Sequence, residues 1–272
     1  MKVKNVLAAA AVCAASVFAV SSCSKEQEAV APAAKDGISP SVLTQIRAMG
    51  FSTQDVKKVE DGYLVEGDIA ITDENLATTP DYQFLRVGAE EQYRTTNLVT
   101  VSGSSRTISI RVSSTLPAAY VTAANEVVRR YNAQNLRIRF TRVTSGGNIV
   151  LSKAPSDADY LASAGFPSRG NPYNSVKVNS SAIGTANPTT HIATILAHEI
   201  GHCIGFRHTD YANRSYSCGG AAVNEGAGSI GAIRIPGTPA GPDPNSWMLA
   251  CIGSGQNRPF NANDVRALQY VY

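Results

Sequence analysis

Polar and apolar residues alternate strictly from Thr107 to Val112, the period of a strand with one buried face. The same reading applies to Leu136–Phe140, Asn148–Leu151 and Ser175–Val178, and Leu161–Phe166, stopped by Pro167, predicts an edge strand. Between the first two strands the period changes. Pro117 opens a helix that places Tyr120, Val121, Ala124, Val127, Val128 and Tyr131 on one face. Pro188 opens a second long helix carrying Ile192, Ile195 and Leu196, and a capped amphipathic helix with Val265, Leu268 and Val271 closes the chain. Strand, helix, several strands and helix describe an α/β or α+β layer arrangement. A smaller pattern precedes it. Ile38, Val42, Leu43, Ile46 and Met49 have helical spacing ended by Gly50, and Tyr63–Val65 and Ile69–Ile71 flank Glu66-Gly67-Asp68 as two short strands or a hairpin. Residues 73–105 are polar without periodicity and read as a linker, with processing sites after Arg86 or Arg94. The Gly- and Pro-rich stretch 209–245 predicts no helix.

The start of the chain reads as an address. Lys2 and Lys4 precede a short apolar run, Val6–Val20, that ends in small residues, as in a secretory signal. Val20-Ser21-Ser22-Cys23 resembles a bacterial lipobox, which implies lipid on Cys23, cleavage after residue 22 and a tether over 23–36. An ordinary signal peptide cut nearby is the simpler alternative. Loss of Lys2 and Lys4 lowers the formal charge of +3 by two, so the exported chain is close to neutral. With 17% charged residues and no basic cluster, no nucleic-acid partner is expected. Cys203, Cys218 and Cys251 remain after export, enough for one disulfide and one thiol. Cys203 lies inside the histidine-bearing helix, which favours Cys218–Cys251.

All four histidines fall between residues 191 and 208. In His198-Glu199-Ile200-Gly201-His202, the two imidazoles at i and i+4 stand one above the other on a helix face, within reach of one metal ion. Glu199 emerges beside them, where a base for water is needed. Gly205 lets the chain turn out of the helix so that His208 approaches from another side. Three imidazoles with a fourth position left over describe a catalytic zinc site. His191 lies two turns before His198, too far along the axis to join them, and is excluded as a ligand.

At these residues the chain resembles the metzincin zinc peptidases, within them the bacterial protease B group, over roughly residues 106–272. The resemblance implies a metzincin-like α+β catalytic domain over 96–272, with a twisted mixed sheet, two long helices and a C-terminal helix. It also implies a Met-turn at Met248 and one catalytic Zn2+. Some of these peptidases carry a Tyr two residues after that Met; here the position is Ala250, so no tyrosine contact is carried over. Val65-Glu66-Gly67-Asp68 is similar to the prosegment motif of astacin-like proenzymes, whose Asp takes the water position on zinc. On that reading Asp68 is a blocking residue and 37–95 a small prodomain. The alternative, that Gly67-Asp68 only turns between strands, stays open.

These residues predict an exported zinc endopeptidase, lipid-anchored to the bacterial envelope through Cys23, acting on peptide or protein substrates with Glu199 as general base. Two rivals are a surface lipoprotein that binds without catalysis, for which Glu199 has no use, and a zinc hydrolase acting on a non-peptide amide.

Overall fold

A computed structural model describes residues 37–77, 92–239 and 241–272; the leader, the tether and Cys23 lie outside the described residues. Ser39 caps α1 (Pro40–Ala48), accepting the Val42 N–H, and Leu43 and Ile46 point inward. Three short strands follow as an antiparallel meander, β1 (Lys57–Val59), β2 (Gly62–Val65) and β3 (Ile69–Thr72), and then α2 (Asp73–Ala77). Leu43, Ile46, Phe51, Val65, Ile69 and Ile71 form a small core that also takes in Phe166 from the larger part of the chain. The expected hairpin is therefore present, with Glu66, Gly67 and Asp68 at its tip. β1 was not predicted, because Lys57 and Lys58 are exposed and carry no apolar alternation.

β4 (Tyr93–Arg94) comes next, then β5 (Arg106–Val112), α3 (Ala118–Asn132), β6 (Ile138–Val143), β7 (Ile149–Lys153), β8 (Ala162–Ser163) and β9 (Ser175–Val178). The large sheet has the order β6-β5-β7-β9-β8, parallel except for β8, which runs antiparallel to β9 at the rim. The mixed direction is the one the resemblance implied, and β8 falls within the expected edge strand Leu161–Phe166. After α4 (Ser180–Ile183), α5 (Thr189–Cys203) packs against α3. The Tyr131 hydroxyl donates to the Ala197 carbonyl across that contact at 2.8 Å. The main core fills the space between this helix pair and the sheet, with Ile108, Ile110, Leu151, Val176, Leu196 and Ile200 all buried. The final elements are α6 (Ser215–Cys218), β10 (Ile233–Arg234) and α7 (Ala262–Val271), whose capping box pairs Asn261 with Asp264.

Two expectations need correction. Residues 92–95 are not part of a polar linker: β4 pairs with β10, Thr95 N–H donates to the Gly205 carbonyl, and Arg207 N–H donates to the Tyr93 carbonyl. A boundary at residue 95 thus falls inside structure shared with the end of α5, while residues 78–91 lie outside the described residues. The 209–245 stretch also contains a helix and a strand, α6 and β10, each too short to leave a periodic pattern. A disulfide joins Cys218 at the end of α6 to Cys251, and Cys203 is a buried thiol. No helix among the described residues is long and apolar enough to cross a membrane.

Candidate active site

α5 carries His198 and His202 one turn apart and ends at Cys203. The chain leaves the helix through Gly205 at φ +104°, with Gly205 N–H donating to His202 and Phe206 N–H to Gly201. Gly205 meets a steric demand as well as a conformational one, since a Cβ there would come within 2.7 Å of Leu98. This exit swings His208 back over the helix. The Nε2 atoms of His198, His202 and His208 lie 3.0, 3.2 and 3.3 Å from one another. Each Nδ1 donates outward: His198 to the Trp247 carbonyl at 2.9 Å, His202 to the Phe206 carbonyl at 2.8 Å, and His208 to Glu225 Oε1 at 2.8 Å.

Those bonds fix the tautomers, because a carbonyl only accepts. With each imidazole neutral and its proton on Nδ1, three lone pairs converge in one buried space. Such an arrangement is repulsive unless a cation sits among them. Burial pulls the His208 pKa down, but the Asp68 and Glu225 carboxylates outweigh it and push it up, so without a metal a proton on His208 takes that place. Tetrahedral zinc with Zn–N bonds of about 2.0–2.1 Å separates its ligand nitrogens by roughly 3.3 Å, which the spacing here matches. The residues fit zinc. Burial lowers the pKa of His202 and its two histidine neighbours lower it further, which keeps it in the neutral form a ligand needs.

The turn at 246–248 supports the site from below. Met248 is fully buried, and a Cβ on Gly201 would lie 2.5 Å from its sulfur and 3.1 Å from the Trp247 indole nitrogen. Only glycine at 201 lets this turn close on the helix and bring the Trp247 carbonyl to His198. Asp264 of α7 holds the turn, accepting from Ser246 Oγ and the Trp247 N–H as well as from Gln92. Met248 thus lies buried against Gly201 of α5.

The hairpin tip reaches the same place. Asp68 Oδ2 lies 3.1 Å from His208 Nε2 and 3.5 Å from His198 Nε2, so these four residues form one buried cluster of metal-ligating groups. Burial by itself raises the Asp68 carboxyl, but the charges and hydrogen bonds of His208, His198 and His202 outweigh it and hold the group below the usual carboxylate range. β3 continues across the rim of the large sheet: Ala164 N–H donates to Asp68 O, Ala70 N–H donates to Ala164 O, and Ile69 pairs with Ala164 in parallel. The predicted edge strand is thus present, shortened to Ala162–Ser163, and the hairpin pairs with Ala164 just beyond it.

Glu66 stands two residues before Asp68 at the hairpin tip. It adopts φ +55°, a strained choice for a non-glycine residue, and its carboxylate meets the Arg207 guanidinium at 3.2 Å with both side chains buried. Arg207 also lies 3.7 Å from Glu225, the partner of His208. Glu66, Arg207 and Glu225 form a buried charged group behind His208. Local sequence gave no pointer to Glu225, which lies in the Gly-rich stretch.

Glu199 is 2% exposed and lines a cavity of about 300 Å3 with His198, Asp68, Tyr160, Ile195 and Arg214. Its Oε2 has no hydrogen-bond partner among the described residues. Burial pushes its carboxyl well above the usual range, the Asp68 charge pushes the same way, and His208 only partly offsets them. Ala250 lines the cavity too. His191 stands apart from the cluster and bonds through Nδ1 to the Gln256 carbonyl at 2.8 Å.

Residues 63–272 match the profile of the dual-action HEIGH metallo-peptidase family, a stretch that includes the hairpin as well as the histidines. Among solved structures the chain is similar to myroilysin, at 14% identity and a TM-score of 0.39, covering 63% of this chain and 81% of that one. It is also similar to high choriolytic enzyme 1, a hatching enzyme zinc-protease from Oryzias latipes (medaka fish), at 15% identity and a TM-score of 0.38, covering 64% and 92%. No curated protein matches the sequence.

Proposed function

Because the chain belongs to the dual-action HEIGH metallo-peptidase family, we propose that it is an exported zinc endopeptidase that is latent as synthesised, with His198, His202 and His208 as the zinc ligands and Glu199 as the general base. The observation that carries this reading is the convergence of three Nε2 lone pairs, each imidazole fixed through its Nδ1, beside a buried carboxylate with a free oxygen. When bound, zinc supplies Lewis acidity and brings the pKa of water down to about 7. Glu199 takes the proton of the attacking water and then carries it to the leaving amine nitrogen, a task suited to a carboxyl whose pKa is raised by burial. The peptide lies extended along β8, which has one unpaired side once the hairpin is removed.

Two observations support latency: Asp68 sits on the histidines, and β3 lies along the rim where substrate would pair. Export and attachment through Cys23 rest on the leader sequence. The assay uses the full-length protein loaded with zinc, before and after limited chymotryptic cleavage within 78–91, with N-terminal sequencing and a mixed peptide library as substrate. Activity that rises on cleavage, and is lost in Glu199→Gln at equal zinc content, is the expected outcome. A zinc-loaded, cleaved protein that hydrolyses nothing would favour the binding lipoprotein instead. Release of Cys23→Ser from the membrane fraction tests the anchor.

A further inference from the structure

Hydrolysis of a peptide bond puts negative charge on the former carbonyl oxygen, and a site built for it aims a hydrogen-bond donor there. The cavity beside Glu199 offers several donors, and most are committed. Lys57 pairs with Asp159. Thr194 donates to the Thr190 carbonyl, and the Trp247 indole faces the Ala197 carbonyl. Arg258 is tied to the Cys251 carbonyl at 2.8 Å. Arg214 differs. Its Nε is buried with no hydrogen-bond partner among the described residues, and its nearest carboxylate oxygen, Glu225 Oε1, lies 3.8 Å away.

The position of Arg214 is as telling as its unbonded Nε. A Cβ built on Gly67 would fall 2.6 Å from its terminal nitrogen, so the guanidinium lies directly over the backbone at the hairpin tip, one residue from the carboxylate that rests on the histidines. The hairpin marks a path that backbone takes through the site, and Arg214 covers that path. The residue is also firmly held. Its own N–H donates to the Val223 carbonyl at 2.8 Å, and it opens α6, whose last residue is joined to Cys251 by the disulfide.

We propose that Arg214 is a catalytic residue, donating hydrogen bonds from its guanidinium to the oxyanion that forms when water adds to the scissile carbonyl. The inference rests on the peptidase reading given above. In the step concerned, the water oxygen bonds to the carbonyl carbon while Glu199 takes the water proton. The π pair moves onto the carbonyl oxygen, where the guanidinium meets it. Collapse of that oxyanion breaks the C–N bond as Glu199 returns the proton to nitrogen. Arg214 stays protonated throughout. It supplies the donor that Ala250 cannot.

The test compares full-length wild-type protein with Arg214→Ala and Arg214→Lys, each opened by limited chymotryptic cleavage and matched for zinc content and melting temperature. Removal of one oxyanion donor lowers kcat by about a hundredfold to a thousandfold, so Arg214→Ala should show that fall in kcat with KM within threefold of wild type, and Arg214→Lys a smaller one. Affinity for a phosphinic peptide, a tetrahedral anion, should drop in proportion to kcat/KM, and added guanidinium chloride should restore part of the Arg214→Ala rate. Arg214→Ala with kcat within threefold of wild type would overturn the proposal while leaving the peptidase reading intact. So would a slow variant that binds the phosphinic peptide normally and is not rescued. Inactive wild type would remove the peptidase reading and this inference with it.

Discussion

The carboxylate behind His208 gives the most direct test of how the metal site is built. Glu225 and His208 are both fully buried, and Glu225 Oε1 takes the Nδ1 proton at 2.8 Å. Replacing Glu225 by Gln keeps an acceptor of the same shape and removes the charge. The fold should tolerate this, because Arg207 retains Glu66 as a buried counter-ion at 3.2 Å. Glu225 is also one of the groups that push the Glu66 carboxyl up, after burial itself, so its neutralisation relieves Glu66. The loss should therefore appear in metal affinity. Removing a partner that orients a metal-bound imidazole costs about 10–100-fold in affinity, or about 1.4–2.8 kcal/mol at 1.4 kcal/mol per decade. Glu225→Ala also strands a buried N–H, which adds about 1–3 kcal/mol. Competition with a chromophoric zinc chelator measures the affinity, and thermal unfolding of the metal-free proteins measures the fold. Zinc affinity of Glu225→Gln within threefold of wild type would refute the orienting role. A loss above about ten-thousandfold, well beyond an orienting effect, would refute it differently, by making Glu225 a ligand in its own right.

Gly201→Ala should destabilise the fold by about 1–3 kcal/mol through overpacking against Met248 and Trp247, and should weaken zinc binding because the Trp247 carbonyl moves away from His198; denaturant titration and chelator competition read the two effects. Breaking the disulfide with Cys218→Ser opens a loop with a sequence separation of 33 residues, and chain entropy puts the cost near 3–4 kcal/mol, visible as a lower denaturation midpoint matched by wild type under reductant. Burial pushes Asp264 up to about 7, against about 3.9 in the unfolded chain. The folded state thus holds this proton more tightly. Its contribution to stability is complete below about pH 4 and is lost as the pH rises through 7. Stability of wild type relative to Asp264→Asn should fall across that window, and a difference independent of pH would refute the assignment.

Much of this was legible in the chain because it depends on local repetition. β5 shows as alternation, α3 and α5 as apolar faces, and His198, His202 and His208 sit on one helix and the turn that ends it, so spacing alone brings them together. Asp68 was reachable only through a resemblance, since Glu66-Gly67-Asp68 also suits an ordinary turn. Glu225 and Arg207 were not legible. Each is defined by a partner distant in sequence, in segments with no period. Residues 92–95 failed for a related reason: their order comes from β10 and the loop after α5, and a two-residue strand leaves no pattern. Arg214 has no local signature either, being defined by its place over Gly67, a residue far from it in sequence.

The way β3 lies along β8 bears on solubility as well as on catalysis. A sheet rim with open amides and carbonyls is a template for unwanted pairing between chains. Here the hairpin pairs with Ala164 at that rim and packs against Phe166. Losing residues 37–77 would bare both at once. On the latency proposed above, loss of the hairpin carries a colloidal cost, and the cleaved protein should self-associate at concentrations where the intact chain stays monomeric. Short substrate peptides, by pairing with the same rim, should suppress that association.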